Sequence, residues 1–148
     1  MTDQAHHKTV VRDYIDAVFT RGEISAVDRY LGEDFVDHDP PFGVGSGREG
    51  IRATAAAIRA GFPDWRSELH RLIAEGDYVV EHFTASGTHR GEVFGAPPTG
   101  ATVTLQGMQI FRFAEGRIVE RWGRLDELGM LRQLGVVRMA ADTASAHA

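Results

Sequence analysis

A carboxylate and an indole near the end of the chain have the spacing of an acid/base site. Trp122 and Asp126 are four residues apart in a segment typical of a β-strand, so period two places them on one face with Glu120 and Arg124. An indole beside a carboxylate excludes water and raises the carboxyl pKa towards the working pH of a general base. Two other interpretations stay open: the face is solvated, or Asp126 is the N-cap of a final helix.

Three histidines and a glutamine are further candidates for the site. His38, just before two prolines, would act as a general acid or orient Asp126, or it is a surface histidine with local hydrogen bonds. His89 opens a Gly- and Pro-rich loop, and it either fixes that loop or contacts substrate. His82, in mid-strand, is a core, interface or pocket residue. Gln109 would donate a hydrogen bond to an oxygen of a substrate, or it packs within the sheet.

Three apolar side chains are candidates for contacts with a substrate: Phe35, Met108 and Trp122. A methionine adapts to irregular or flat ligands, although it fills a protein core equally well. In a fold that wraps around a pocket, the pocket wall and the core are the same inward-facing residues.

Several other chemistries lack their residues. His6 and His7 form a terminal pair, and His38-Asp39 has no second ligand cluster at a recognisable spacing, so we expect no metal site. The sequence has no phosphate-binding loop, no dinucleotide turn and no serine elbow. It contains no cysteine, which excludes disulfides and thiolate chemistry.

Composition points to an ordinary globular protein of 148 residues, with 43% hydrophobic and 25% charged residues. The net charge of −5 argues against a nucleic-acid partner held through phosphates. No apolar run approaches the roughly 18 residues that span a bilayer, and the N-terminus lacks the apolar stretch of a secretion signal. We therefore expect a cytoplasmic protein with no membrane contact.

Hydrophobic periodicity places the candidate residues on a small set of elements. Apolar spacing predicts a helix from about residue 8, with a stop at 20–22, and a second helix with Ser25 as its N-cap. Ser46 and Glu49 have the spacing of a capping box for a third helix. The rest predicts strands at 64–74, 78–88, 102–113 and 117–125, and a final short helix at 126–135.

Helices followed by hairpin-linked strands predict an α+β fold in which the helices pack on one face of a curved antiparallel sheet. We expect one domain over 1–148, with its core at about 8–136 and a polar tail at 137–148. An open sheet face needs a cover, and Tyr78, Val80 and Phe111 supply apolar strand positions for it, so the sequence predicts a homodimer.

Four segments together resemble the SnoaL-like polyketide cyclases of the nuclear-transport-factor-2-like superfamily. Residues 87–100 read GTHRGEVFGAPPTG, similar to the rim motif of the ester cyclases, and residues 111–122 read FRFAEGRIVERW, similar to their hairpin. Residues 126–135 fit the family's D-x-x-G-x-x-x-Q-L-G ending, and 37–40 resemble an early x-H-x-P segment. The resemblance covers about 14–135, and it departs from the family at His82, where many members carry arginine.

The resemblance implies a cone-shaped pocket and a cofactor-free enzyme that closes a ring by intramolecular aldol condensation on a polyketide ester. It places the family's acid/base aspartate on Asp126, and a hydrophobic small molecule is the implied partner. An isomerase or epoxide hydrolase of the same fold is an alternative, and a hydrolase would need a second carboxylate and an arginine, for which Asp37, Asp39 and Arg124 are candidates. A non-enzymatic binding or association domain is the third possibility.

Overall fold

The computed structural model describes residues 3–93 and 95–141, and three of its α-helices lie within residues 3–61. Helix α1, Asp3–Tyr14, continues into a wider π-helical turn, Ile15–Thr20, and ends before Gly22, whose φ of 70° suits the left-handed stop that the sequence predicts. A 3-10 turn, Ile24–Ala26, leads into the short α2, Val27–Tyr30. A second 3-10 turn, Pro41–Gly43, precedes α3, Arg48–Gly61.

Both predicted N-caps are corrected by the structure. Helix α2 begins after Ala26 without a side-chain cap, because Ser25 lies inside the preceding 3-10 turn. Helix α3 has Gly47 as its N-cap, again without a side-chain hydrogen bond, and Glu49 forms an ion pair with Arg52 instead. The short helix α4, Glu127–Gln133, is capped by Asp126.

Five strands form one sheet in the order β1-β5-β4-β3-β2. They span β1, Leu31–Asp37, β2, Arg66–Glu75, β3, Tyr78–Thr88, β4, Thr102–Ala114, and β5, Arg117–Leu125. The pairs from β2 to β5 are antiparallel, as predicted, whereas β1 joins β5 in parallel, so the sheet is mixed. The predicted α+β class, with N-terminal helices against a curved sheet, is confirmed.

The two faces of the sheet differ in burial, and the difference follows the period of two. Residues of β3 alternate between fully buried positions, such as Val79, Glu81 and Phe83, and positions that are partly open. The buried positions belong to what we call the inner face, against which α1 and α3 pack. The opposite, outer face carries exposed apolar residues, among them Ile73 and Ile110.

The core divides into two clusters along the inner face. One joins α1 to the sheet, with Tyr14 against Phe111 at 6.1 Å between ring centroids. The other lies near the end of α3, where Phe62 and Trp65 pack 5.3 Å apart and Met130 of α4 closes the group. Phe62 and Trp65 thus join the end of α3 to the sheet.

One apolar position predicted for the open sheet face is corrected. Phe111 is only 1% exposed and faces the core, because it is in phase with Phe113 and Gln109 on the inner side of β4. Its neighbour Ile110 is the residue that lies on the outer face, 39% exposed.

The face assignment of β4 predicts a large difference between two substitutions on the same strand. Phe111→Ala should lower the free energy of unfolding by about 3–5 kcal/mol, because it opens a cavity between the sheet and α1. Thr102→Ala, at an exposed position of β4, should change it by less than about 0.5 kcal/mol. Urea unfolding of both variants measures the difference, and equal small effects would contradict the inner placement of Phe111.

Candidate active site

Two adjacent chambers lie along the inner face. The inner chamber, about 60 Å³, lies against β3, β4 and β5, and the outer chamber, about 340 Å³, opens between α3, α4 and the 90s loop. The chambers adjoin each other, since six residues line both: Pro41, Thr54, Ile58, Trp65, Leu105 and Leu125. The walls are mostly apolar, and the polar groups are concentrated at the inner end.

A chain of four polar side chains closes the inner end. Arg121 of β5 donates from Nη1 to Asp37 Oδ1 at 2.8 Å and from Nε to Gln109 Oε1 at 2.6 Å. Gln109 in turn donates from Nε2 to Glu81 Oε1 at 2.9 Å. All four side chains are at least nine-tenths buried and line the inner chamber. Four strands thus contribute one polar group each to a single hydrogen-bonded row.

The order of donors and acceptors in this row is fixed by Arg121. A guanidinium only donates, so the oxygen of the Gln109 amide must face Arg121 and its nitrogen must face Glu81. Glu81 Oε1 therefore accepts a hydrogen bond, while Oε2 has no hydrogen-bond partner among the described residues. The free oxygen is buried and belongs to a residue that lines the chamber, which makes it the one available to a bound molecule.

Burial gives Glu81 the proton affinity of a general base or acid at neutral pH. Desolvation raises its pKa from 4.5 to about 7, although the hydrogen bond from Gln109 and the charge of Arg121 act in the opposite direction. Desolvation also raises the pKa of Tyr14, whose phenol lines the same chamber and stays protonated. A carboxyl group that titrates near pH 7 and a neutral hydroxyl donor thus border one small space.

The chain folds locally to make room for Arg121. Gly123 follows it on the same face of β5, and a Cβ at that position would lie 2.3 Å from Arg121 Nη2. The backbone N–H of Gly123 donates to Asp39 Oδ2 at 3.0 Å, and Arg121 also donates to the Asp39 carbonyl at 3.1 Å. These bonds hold the end of β1 beside β5, which positions Asp37 to neutralise the buried guanidinium.

Of the predicted substrate contacts, the structure places Gln109 in the cavity wall and three others on the opposite side of the sheet. Trp122, Met108 and His82 all lie on the outer face, where Trp122 pairs with Ile110 and His82 pairs with Met108. This placement corrects the expectation that they line the pocket. The predicted period of β5, which puts Trp122 on one face with Glu120 and Arg124, is correct, but that face is the outer one.

The predicted catalytic pair also lies outside both chambers described here. Asp126 is exposed and accepts the Gly129 N–H at 3.0 Å, which is the helix-capping role that the sequence left open. His38 is exposed, stacks on Trp122 at 4.8 Å and donates to Glu120 at 2.7 Å. The predicted meeting of Asp126, Trp122 and His38 in one cavity is corrected, because β5 turns this face away from the helices. The catalytic role of Asp126 and His38 stays a prediction.

The two remaining candidates serve the framework of the cavity. His89 is fully buried, and its Nδ1 accepts the backbone N–H of Thr99 at 3.3 Å, so it holds the loop that the rim motif contributes. Phe94 of that motif lies outside the described residues. Phe35 is buried in the core cluster beneath α1.

Sequence reasoning missed Glu81 and Arg121, and considered Asp37 only for a hydrolase. A signal was present: Glu81 stands in phase with Val79, Phe83 and Ala85 on one strand, so a charged residue occupies the apolar phase. Arg121 likewise is a charged residue at a buried position of β5, and its neighbours Glu120 and Trp122 lie on the outer face.

Other kinds of site find little support. Within residues 3–93 and 95–141, no group of three or more His, Asp or Glu side chains is arranged to hold a metal ion. The same residues include no helix that is long and apolar enough to cross a membrane.

Comparison with known proteins identifies consistent relatives. A family model described as SnoaL-like polyketide cyclase matches residues 9–134. The chain is 27% identical over 121 residues to nogalonic acid methyl ester cyclase from Streptomyces nogalater, which covers 80% of this chain and 90% of that protein.

Two solved structures are similar over nearly the whole chain. TsrD from Streptomyces laurentii superposes with a TM-score of 0.81 at 28% identity, covering 93% of this chain and 100% of that one. AclR from Streptomyces galilaeus, named "a putative hydroxylase", superposes with a TM-score of 0.79 at 26% identity, covering 91% and 99%.

The buried carboxyl group predicts a specific pH dependence of stability. Because the pKa of Glu81 is raised in the folded chain, the folded state keeps a proton that the unfolded state loses between pH 4.5 and about 7. The contribution of this group to the free energy of unfolding is therefore fully present below pH 4.5. It decreases by about 3 kcal/mol in total as the pH rises to about 7. Glu81→Gln should remove this pH dependence, so the free energy of unfolding of the variant should rise relative to that of the wild type between pH 5 and pH 8.

Urea unfolding at pH 5 and pH 8 measures this difference, with Glu33→Gln as the control at an exposed glutamate of β1. The control should keep the wild-type slope. A Glu81→Gln variant whose stability follows the wild type in parallel at both pH values would show that Glu81 titrates normally.

Proposed function

The chain belongs to the SnoaL-like polyketide cyclase family, and we propose that it closes a ring in a polyketide ester by intramolecular aldol condensation with Glu81 as the acid/base group. Membership makes it an enzyme of the cyclase type. The observation that supports Glu81 is its free Oε2 at the closed end of an apolar cavity. The similarity of the chain to a protein named nogalonic acid methyl ester cyclase supports an ester as the substrate.

The proposed reaction begins with proton removal from a carbon between two carbonyl groups. Glu81, ionised, takes that proton on Oε2, and the enolate attacks a second carbonyl carbon of the same molecule. The new C–C bond leaves an alkoxide, to which the protonated Glu81 returns the proton, so the product is an isomer of the substrate. A carboxyl pKa of about 7 suits both transfers, since base and acid forms are then populated at neutral pH.

The rest of the inner chamber supports this assignment by holding the reacting groups. Tyr14, kept protonated by burial, supplies a hydroxyl donor for the negative charge that develops on the enolate oxygen. Gln109 holds Glu81 through Oε1, and this hydrogen bond restrains the orientation of the free oxygen. The outer chamber, about 340 Å³ and largely apolar, would hold the remainder of a hydrophobic substrate.

A second candidate, hydrolysis of an epoxide, has one observation in its favour. The inner chamber joins two buried carboxylates, Asp37 and Glu81, with Arg121 in the same hydrogen-bonded row, and such a group can activate a water and protonate a leaving oxygen. Arg121, however, reaches Glu81 only through Gln109. Turnover in ¹⁸O-labelled water separates the candidates, because hydrolysis places the label in the product and ring closure does not.

The cyclase proposal predicts a clear order of effects for two carboxylate variants. Glu81→Gln keeps the shape and the bond from Gln109 but cannot take up a proton, so kcat should fall by about 10² to 10⁴ with little change in KM. Asp126→Asn keeps the helix cap, since asparagine is an equally good N-cap, and should retain nearly full activity. The assay is ring closure of a polyketide methyl ester, followed by absorbance and product mass.

Two results of this assay would overturn the assignment. An active Glu81→Gln beside an inactive Asp126→Asn would return the acid/base role to Asp126. Loss of activity in His38→Ala with both carboxylate variants active would instead assign it to His38.

A further inference from the structure

One nitrogen of the buried guanidinium of Arg121 has no acceptor among the described residues. Its Nε donates to Gln109, and its Nη1 donates to Asp37 and to the backbone carbonyl of Asp39. The hydrogens of Nη2 have no partner within residues 3–93 and 95–141, although the side chain is buried and lines the inner chamber. Buried donors of a charged group are almost always paired, so a free one beside a cavity indicates a ligand.

Gly123 leaves room for this nitrogen on β5. A Cβ at that position would lie 2.3 Å from Nη2, so a larger residue would displace the guanidinium. In the sheet, Gly123 pairs with Gln109, which pairs on its other side with Glu81. The free Nη2 of Arg121 and the free Oε2 of Glu81 therefore flank the same glutamine.

The guanidinium and the carboxyl group each use half of a two-atom edge to hold Gln109. Nε and Nη2 form one edge of the planar guanidinium and donate in parallel, and the two oxygens of a carboxylate accept in parallel. Arg121 binds the amide oxygen through Nε, and Glu81 binds the amide nitrogen through Oε1. The other half of each edge is free. A second fragment with the shape of the amide can therefore bind alongside Gln109.

A proton-bearing carbon bonded to a carbonyl group has that shape, because the carbon takes the place of the amide nitrogen. We propose that Arg121 is a further catalytic residue, whose Nη2 donates to a carbonyl oxygen of the substrate while Glu81 Oε2 takes the proton from the adjacent carbon. This inference rests on the proposed ring closure by Glu81, and it adds the group that binds the substrate oxygen.

The contact with Arg121 becomes stronger when the substrate loses its proton. In a carbon acid between two carbonyl groups, the electron pair left behind spreads over both carbonyl oxygens. Arg121 faces one oxygen, and the hydroxyl of Tyr14, which borders the same chamber, is available to the other. A cation stabilises an oxyanion more than a neutral ketone, so the barrier to proton removal falls. A guanidinium does not release its own proton, so the transferred proton stays on Glu81 until the alkoxide takes it.

The pKa of a bound 1,3-diketone reports this contact without turnover. Acetylacetone is the probe, because its enolate absorbs at a longer wavelength than its neutral forms. The host is Glu81→Gln, which removes the carboxyl group that titrates near pH 7. With the protein in excess, the midpoint of ionisation of the diketone should lie about 1–3 pH units below its value in water, since a cation contacts the anion.

Two further changes in this host separate a catalytic role of Arg121 from a structural one. Asp37→Asn removes the charge that neutralises Arg121 and should lower the midpoint further. Asp37→Asn with Arg121→Gln removes the cation as well, without leaving a buried charge unpaired, and should return the midpoint to the value in water or above it. Both changes break the same ion pair between β1 and β5, so a guanidinium with only a structural role would give both the same midpoint.

Three results of this titration would overturn the proposal: no binding of acetylacetone to the Glu81→Gln host, a midpoint in that host at or above the value in water, or equal midpoints in the two further variants. With Glu81 in place, kcat for ring closure should be about 10² to 10³ lower for the combined Asp37→Asn and Arg121→Gln variant than for Asp37→Asn alone. The titration needs no turnover, so it tests Arg121 independently of the assay that assigns the acid/base role to Glu81.

Discussion

The buried guanidinium of Arg121 is the constraint on which the site depends. An unpaired charge inside a protein is very unfavourable, so Arg121 requires acceptors, and it obtains them from Asp37 on β1 and Gln109 on β4. Those bonds draw the parallel strand β1 against β5 and fix the direction of the Gln109 amide. Through that amide they determine which oxygen of Glu81 stays free. Fold and reactive group are thus connected by a single row of hydrogen bonds.

The same row explains why a carboxyl group with high proton affinity persists in the core. Glu81 retains one hydrogen bond, and this keeps it in place, but the apolar chamber around Oε2 withholds the solvation that an anion needs. The folded chain is therefore less stable at neutral pH than it would be with an ordinary carboxyl group at this position. In return Glu81 can gain and lose a proton at that pH, and groups with perturbed pKa values are common at functional sites.

Sequence reasoning predicts the helices, the antiparallel strands and the strand phases, because periods of 3.6 and 2 follow from local geometry. It did not identify which face of the sheet encloses the cavity. Trp122 and Ile110 have core character yet lie outside, whereas Glu81 and Arg121 have surface character yet lie inside. The burial of these polar residues reverses the usual pattern, and tertiary packing alone decides the face. For the same reason Asp126 fits a catalytic motif by sequence, whereas the structure uses it as a helix cap.

Direct titration of the Glu81 carboxyl carbon tests most directly whether this group gains and loses its proton near neutral pH in the folded chain. Carbon-13 NMR of glutamate-labelled protein, with the resonance assigned by its loss in Glu81→Gln, follows that single group from pH 4 to 9. The account predicts a midpoint at about pH 7. A midpoint near the ordinary value of 4.5 would show an ionised, solvated carboxylate and would contradict the account.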